Sequence, residues 1–154
     1  MNKYIAILLL ALPMSVNADA FKYQIIKESQ LEKPALFDAT VVWIAESIRS
    51  ANDSVQHKDK EAGTIILNAL MDVPSGVFLV PAYPTECKLK IDIKNKKYRM
   101  SFTQVKIDFG YDGYFKQIEQ VNWKGNEKQV IKTFNALSDG LDEYLVNYKN
   151  NDDL

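Results

Sequence analysis

Two periods run through the hydrophobic pattern of this chain, one of two residues and one of about three and a half. Phe21-Lys22-Tyr23-Gln24-Ile25 alternates apolar with polar residues and predicts a first strand. From Pro34 the period changes. Proline suits the first turn of a helix, where its missing N–H leaves no bond unmade. At about 100° per residue, Leu36, Phe37, Thr40, Val41, Ile44 and Ile48 share one face, with Trp43 at its edge. This predicts an amphipathic helix reaching about Arg49.

The middle of the chain returns to the shorter period. Val55 and His57 lie on alternate positions before Asp59-Lys60-Glu61-Ala62-Gly63, and Thr64 to Leu70 is rich in β-formers. A short connection ending in glycine between two such runs predicts a hairpin, with Gly63 able to take the positive φ of a bulge. Cys87, Leu89, Ile91 and Ile93 then alternate with Lys88, Lys90, Asp92 and Lys94, a half-buried strand with a lysine-rich outer face. Asn95-Lys96-Lys97 turns the chain. Tyr98, Met100 and Phe102 alternate next, but Val105, Ile107 and Phe109 continue on the opposite parity. A bulge near Thr103-Gln104 would return all six to one face.

Near the carboxyl end, Val130, Phe134, Leu137, Leu141, Tyr144, Leu145 and Tyr148 fall within a stripe of about 100°, the width of a core-facing helix. Asn126, with Gln129 three residues on, predicts its capped start. Gly140 inside it weakens it by about 1 kcal/mol relative to alanine. The acidic, polar residues 150–154 predict a disordered tail. The expected architecture is a single α+β domain over residues 19–149, in the order β-α-β-β-β-β-α. About five antiparallel strands are packed by two helices.

The first eighteen residues follow neither pattern. Lys3, the apolar run Ile5 to Leu12, and small residues at Val16-Asn17-Ala18 predict a cleavable signal peptide. The cut falls near Ala18 or, by Ala18-Asp19-Ala20, two residues later. The run is shorter than the roughly 20 residues of a spanning helix, and no cysteine stands nearby to carry a lipid. The expected address is therefore the periplasm or the medium, without a stable membrane anchor. Without Lys3, 18 basic residues face 20 acidic ones, a near-neutral balance that argues against nucleic acid as a partner. Cys87 is the only cysteine. On an alternating strand it is expected to be buried, with an intermolecular disulfide as the alternative.

Pro34-Ala35-Leu36 through Trp43, then Val55-Gln56 and Asp59-Lys60-Glu61-Ala62-Gly63-Thr64-Ile65-Ile66, resembles a family of exported bacterial proteins described as a domain of unknown function with a TBP-like fold. The resemblance covers roughly residues 32–109. It implies a curved antiparallel sheet flanked by helices, in agreement with the periodicity. It implies no activity and no catalytic residues, and a TBP-like topology does not by itself confer DNA binding.

The chain offers little catalytic chemistry. His57 and Cys87 are the one imidazole and the one thiol, on separate strands and with no motif joining them. Asp59 and Glu61 flank Lys60 in a solvated turn, where nothing drives two carboxyl pKa values apart; Asp59 is better placed to cap turn N–H groups. No metal-ligand set and no cofactor motif is present. The stretch Val73-Pro74-Ser75-Gly76-Val77-Phe78-Leu79-Val80-Pro81-Ala82-Tyr83-Pro84 is more informative, because its prolines limit sheet pairing while bulky apolar residues sit among them. These side chains either cover one end of the core, the favoured reading, or line a groove. Tyr111-Asp112-Gly113-Tyr114-Phe115 and Trp123 add aromatic residues in later loops.

The reading that fits best is a non-enzymatic exported binding or interaction module of the cell envelope. Its contact surface is either the sheet's open side or the apolar loop at residues 77–83, with Phe78, Leu79, Tyr83, Tyr111, Tyr114 and Trp123 as candidate contact residues, and an unidentified protein or apolar small molecule is its partner. One alternative is an envelope hydrolase using Cys87 or acidic residues. Another is a structural protein that self-associates, joined through Cys87.

Overall fold

The computed structural model describes residues 20–49, 54–110, 114–118 and 124–152. The expected leader, residues 1–18, lies outside them. The elements in chain order are β1 (Lys22–Glu28), α1 (Lys33–Ser47), β2 (Val55–Asp59), β3 (Thr64–Val73), β4 (Tyr83–Lys94), β5 (Lys97–Asp108), β6 (Phe115–Gln117) and α2 (Lys124–Asp152). All strand pairs are antiparallel, in the spatial order β1-β5-β4-β3-β2, with β6 also on β5. Both helices pack against one face of this sheet and against each other.

Alternation in the long strands explains why only one face is covered. Ile65, Leu67, Ala69 and Val73 of β3, and Cys87, Leu89, Ile91 and Ile93 of β4, are buried under the helices. The intervening lysines and aspartates face water. On β5 the buried set is Tyr98, Met100, Phe102, Val105 and Ile107, which changes parity after Phe102. The expected bulge supplies the extra residue: Lys88 pairs with Thr103 but Glu86 with Lys106, and Gln104 takes φ 53°. The same bulge divides the outer edge of β5. β1 pairs with it up to Thr103, and β6 takes over from Lys106 to Asp108.

The β2–β3 hairpin also forms as expected. Gly63 has φ 73°, and a Cβ there would lie 2.3 Å from the Ile93 carbonyl oxygen, so glycine is required on two counts. Asp59 Oδ1 accepts from the Ala62 N–H at 2.8 Å, the capping role expected of it.

Helix α1 begins with Pro34 in its first turn. Its buried face is Leu36, Phe37, Ala39, Thr40, Trp43 and Ile44, with Val41 only partly covered. The face is thus rotated from expectation, and Trp43 sits inside the core at 3% exposure instead of at the edge. Thr40 is tolerated there because its hydroxyl donates to the Leu36 carbonyl at 2.7 Å. Helix α2 buries Val130, Phe134, Leu141 and Leu145, with Leu137, Tyr144 and Tyr148 packed beside them. It begins at Lys124, so Asn126 lies inside the helix and is not its cap. It also continues through Asp152, into the segment expected as a tail. Sequence periodicity did not predict β6, which has only three residues and too little pattern to register.

Candidate functional site

The residues joining β3 to β4 project from one end of the sheet, and their conformation has a local cause. Ser75 is buried, and its hydroxyl donates toward the Val77 and Val80 carbonyls at 3.2 and 3.0 Å while accepting from the Val77 N–H. The Val80 N–H in turn donates to the Val77 carbonyl at 3.2 Å. These bonds close a four-residue turn, Val77-Phe78-Leu79-Val80, whose corner residues are Phe78 and Leu79. Phe78 is 90% exposed and Leu79 88%. Leu79 also has φ 67°, a left-handed conformation that costs a side-chain-bearing residue about 1–2 kcal/mol.

For residues 77–80 the expectation of core cover is therefore overturned. Ser75 holds the backbone inward, and the apolar side chains at the turn point away. The run from Val73 to Thr85 contains no charged residue, so nothing polar at the tip compensates for the exposure. Strain and exposed apolar surface on the same residues are features that folding alone does not favour.

The other candidate residues take different positions. Tyr83 is half-buried, with its ring centroid 5.2 Å from that of Phe109, so it supports the base of the loop and does not form part of its tip. Tyr114 is 72% exposed. It precedes Phe115, whose pairing with Asp108 places both at the same end of the sheet as Tyr83 and Phe109. Tyr111 and Trp123 lie outside the described residues. Val77 and Val80, within the apolar stretch that the sequence marks, are exposed as well. The charge-free run was visible in the sequence, but the inward turn at Ser75 was not.

The fold does not bring Cys87 and His57 together. Cys87 pairs with Ala69 on the helix-covered face, whereas His57 pairs with Ile66 and is exposed on the other face. Burial pushes the Cys87 thiol up to about 12, so it is neither a thiolate nucleophile nor accessible to a second thiol. Among the described residues no cluster of histidine, cysteine and carboxylate side chains could hold a metal ion.

The open face of the sheet is mostly polar, with Ile26 and Leu70 among its exposed apolar residues. At its β4–β5 hairpin end Asp92 accepts from Lys90 and Arg99, both at 2.8 Å. Burial acts to raise the Asp92 pKa, but the two hydrogen bonds outweigh it and hold the carboxyl below its usual range. On the covered side Lys27 donates to Asp139 at 2.8 Å. That bond, against a smaller opposing effect of burial, raises the lysine pKa. Among the described residues no helix is long and apolar enough to cross a membrane.

Residues 21–108 match the family described as a domain of unknown function (DUF4468) with TBP-like fold. The chain belongs to the DUF4468 family. The match takes in β1 to β5 and ends before β6 and α2. A TBP-like protein from Parabacteroides distasonis ATCC 8503 is similar in structure, with TM-score 0.60 at 15% identity over 80% of this chain and 91% of that one. A DUF4468 family protein from Bacteroides ovatus ATCC 8483 gives TM-score 0.53 at 12% identity over 78% and 81%. At such identities the likeness establishes the fold alone. No curated protein matches the chain.

Proposed function

We propose that this DUF4468 protein is a non-catalytic binding module of the cell envelope, exported by the signal at residues 1–18. In this reading it docks the Val77–Val80 turn, with Tyr114 nearby, into an apolar cleft of a partner protein. The observation that carries the reading is the exposure of Phe78 and Leu79 at 90% and 88% on a strained, uncharged turn. A convex projection fits into a cleft better than it encloses a small molecule, which favours a protein partner over an apolar ligand. The flanking charges are Asp72 and Glu86, the wrong sign for attraction to an anionic lipid surface. Nucleic acid is disfavoured by the same acidic flanks and by the overall charge.

Native mass spectrometry of the mature protein, purified gently from its own envelope, tests this. The expected spectrum contains a heteromeric species that disappears in Phe78→Ser/Leu79→Ser. A spectrum of bare monomer, a homodimer, or a lipid adduct surviving the substitutions would each overturn it.

A further inference from the structure

The two ends of the open sheet face treat their polar groups differently. Near the β4–β5 hairpin most of these groups pair with one another: Asp92 with Lys90 and Arg99, and Gln24 with Ser101 at 2.9 Å, while Lys94 stands apart among the described residues. Toward the other end, Gln56, Asn68, Glu86, Lys88, Gln104 and Lys106 border an open depression of about 330 Å³. Among the described residues none of these six side chains has a hydrogen bond or ion pair within the fold. Arg49, at the rim, is engaged with Asp72 at 3.5 Å.

Two breaks in strand register converge on this depression. Gln56 is the extra residue of β2, between the pairs Val55–Leu67 and His57–Ile66. Gln104 belongs to the β5 bulge and stands in the left-handed region at φ 53°. Bulges re-aim the side chain they carry and are concentrated beside functional sites. Here both carry an amide to the border of the same hollow. Between them lie Asn68 and Leu70 of β3 and Glu86 and Lys88 of β4, with Lys106 opposite Glu86 on β5.

The chemistry of this ring is specific in sign and in kind. Lys88 and Lys106 outnumber Glu86, so with Arg49 already paired the hollow carries one net positive charge. Three amides and a carboxylate supply both donors and acceptors, the complement of hydroxyl groups. The volume lies at the small end of ligand sites, enough for one ring-sized molecule. We propose that this depression binds a small hydroxylated anion, a sugar acid or a sugar phosphate. Lys88 and Lys106 take its charged group, and Gln56, Asn68, Gln104 and Glu86 take its hydroxyls. The site is independent of the Val77–Val80 turn and of any partner docked there.

The test is a titration of the ¹⁵N-labelled mature protein at low salt, followed by NMR, with glucuronate, glucose 6-phosphate, glucose and inorganic phosphate. Saturable shifts of the backbone amides at residues 56, 68, 86–88 and 104–106 are expected with at least one anionic sugar. The two sugars distinguish a carboxylate from a phosphate ligand. Lys88→Gln and Lys106→Gln should each weaken binding roughly fivefold. Lys94→Gln, on the same face but at the hairpin end, and Phe78→Ser/Leu79→Ser should leave it unchanged. All these side chains point outward, and an unchanged thermal melt confirms that each variant folds. The proposal is overturned if neither anionic sugar gives saturable shifts there, or if glucose or inorganic phosphate binds as tightly as the anionic sugars. It is equally overturned if Lys94→Gln weakens binding as much as Lys88→Gln.

Discussion

Phe102 of β5 and Phe134 of α2 stack with ring centroids 4.0 Å apart and planes within 7° of parallel. Both are fully buried, and Tyr23 of β1, the cross-strand partner of Phe102, has its ring centroid 6.3 Å from that of Phe134. This contact joins the carboxyl-terminal helix to the sheet, so the helix depends on it. Phe134→Ala is expected to cost about 3–5 kcal/mol, and Phe134→Leu, which retains most of the volume, about 1 kcal/mol. Urea denaturation of the two variants measures both.

Two positions on α2 are expected to give stabilising substitutions. Gly140 is exposed, and a Cβ added there meets nothing within 4 Å. Gly140→Ala should therefore recover about 1 kcal/mol of helix propensity. Ser138 is buried, and its hydroxyl has no hydrogen-bond partner among the described residues. Ser138→Ala removes that unsatisfied group and should stabilise by roughly 1 kcal/mol. Thermal melts of the single and double variants check the sign of each.

The Asp92 cluster sets an acid-side pH dependence. The folded carboxyl titrates below its unfolded value, so its contribution is fully present above about pH 4 and is lost as pH falls through the lower, folded pKa. Lys27 acts in the opposite direction. Its raised pKa gives a contribution fully present below about pH 10.4 and lost as pH rises through the folded value. Asp92→Asn should cost roughly 1 kcal/mol at pH 7. Urea midpoints of Asp92→Asn and the parent protein should converge as pH falls toward 2.

The Val77–Val80 turn should contribute little to folding. Phe78→Ser/Leu79→Ser is expected to change stability by no more than about 0.5 kcal/mol, because neither side chain is buried. Leu79→Gly relieves the left-handed strain and should stabilise by up to about 1 kcal/mol. Calorimetry distinguishes these outcomes from the loss of several kcal/mol that a buried pair would give.

The elements most legible in the sequence were those whose whole surface pattern is set by one packed face. The parity change between Phe102 and Val105 reveals the β5 bulge, because Tyr98, Met100, Phe102, Val105 and Ile107 must all reach one core. The stripe from Val130 to Tyr148 likewise revealed α2. Where a residue's place depends on a neighbour distant in sequence, the pattern was silent. Trp43 falls at the edge of the periodic stripe because helix periodicity does not say where the sheet lies. The outward turn at Phe78 and Leu79 follows from the three hydrogen bonds of Ser75, which no periodicity encodes. The depression beside Gln56 and Gln104 needs two bulges on strands that are not neighbours, and only the spatial strand order brings them together.

Whether the exposed turn meets a partner in the cell is tested most directly by photo-cross-linking from position 78. A benzophenone amino acid replaces Phe78 in the full-length chain, with the same probe at exposed Val42 of α1 as the comparison. Irradiation of intact cells should yield one discrete adduct from position 78 and none from position 42. No adduct from position 78, or the same smear of products from both positions, would contradict the assignment of the turn as a docking element.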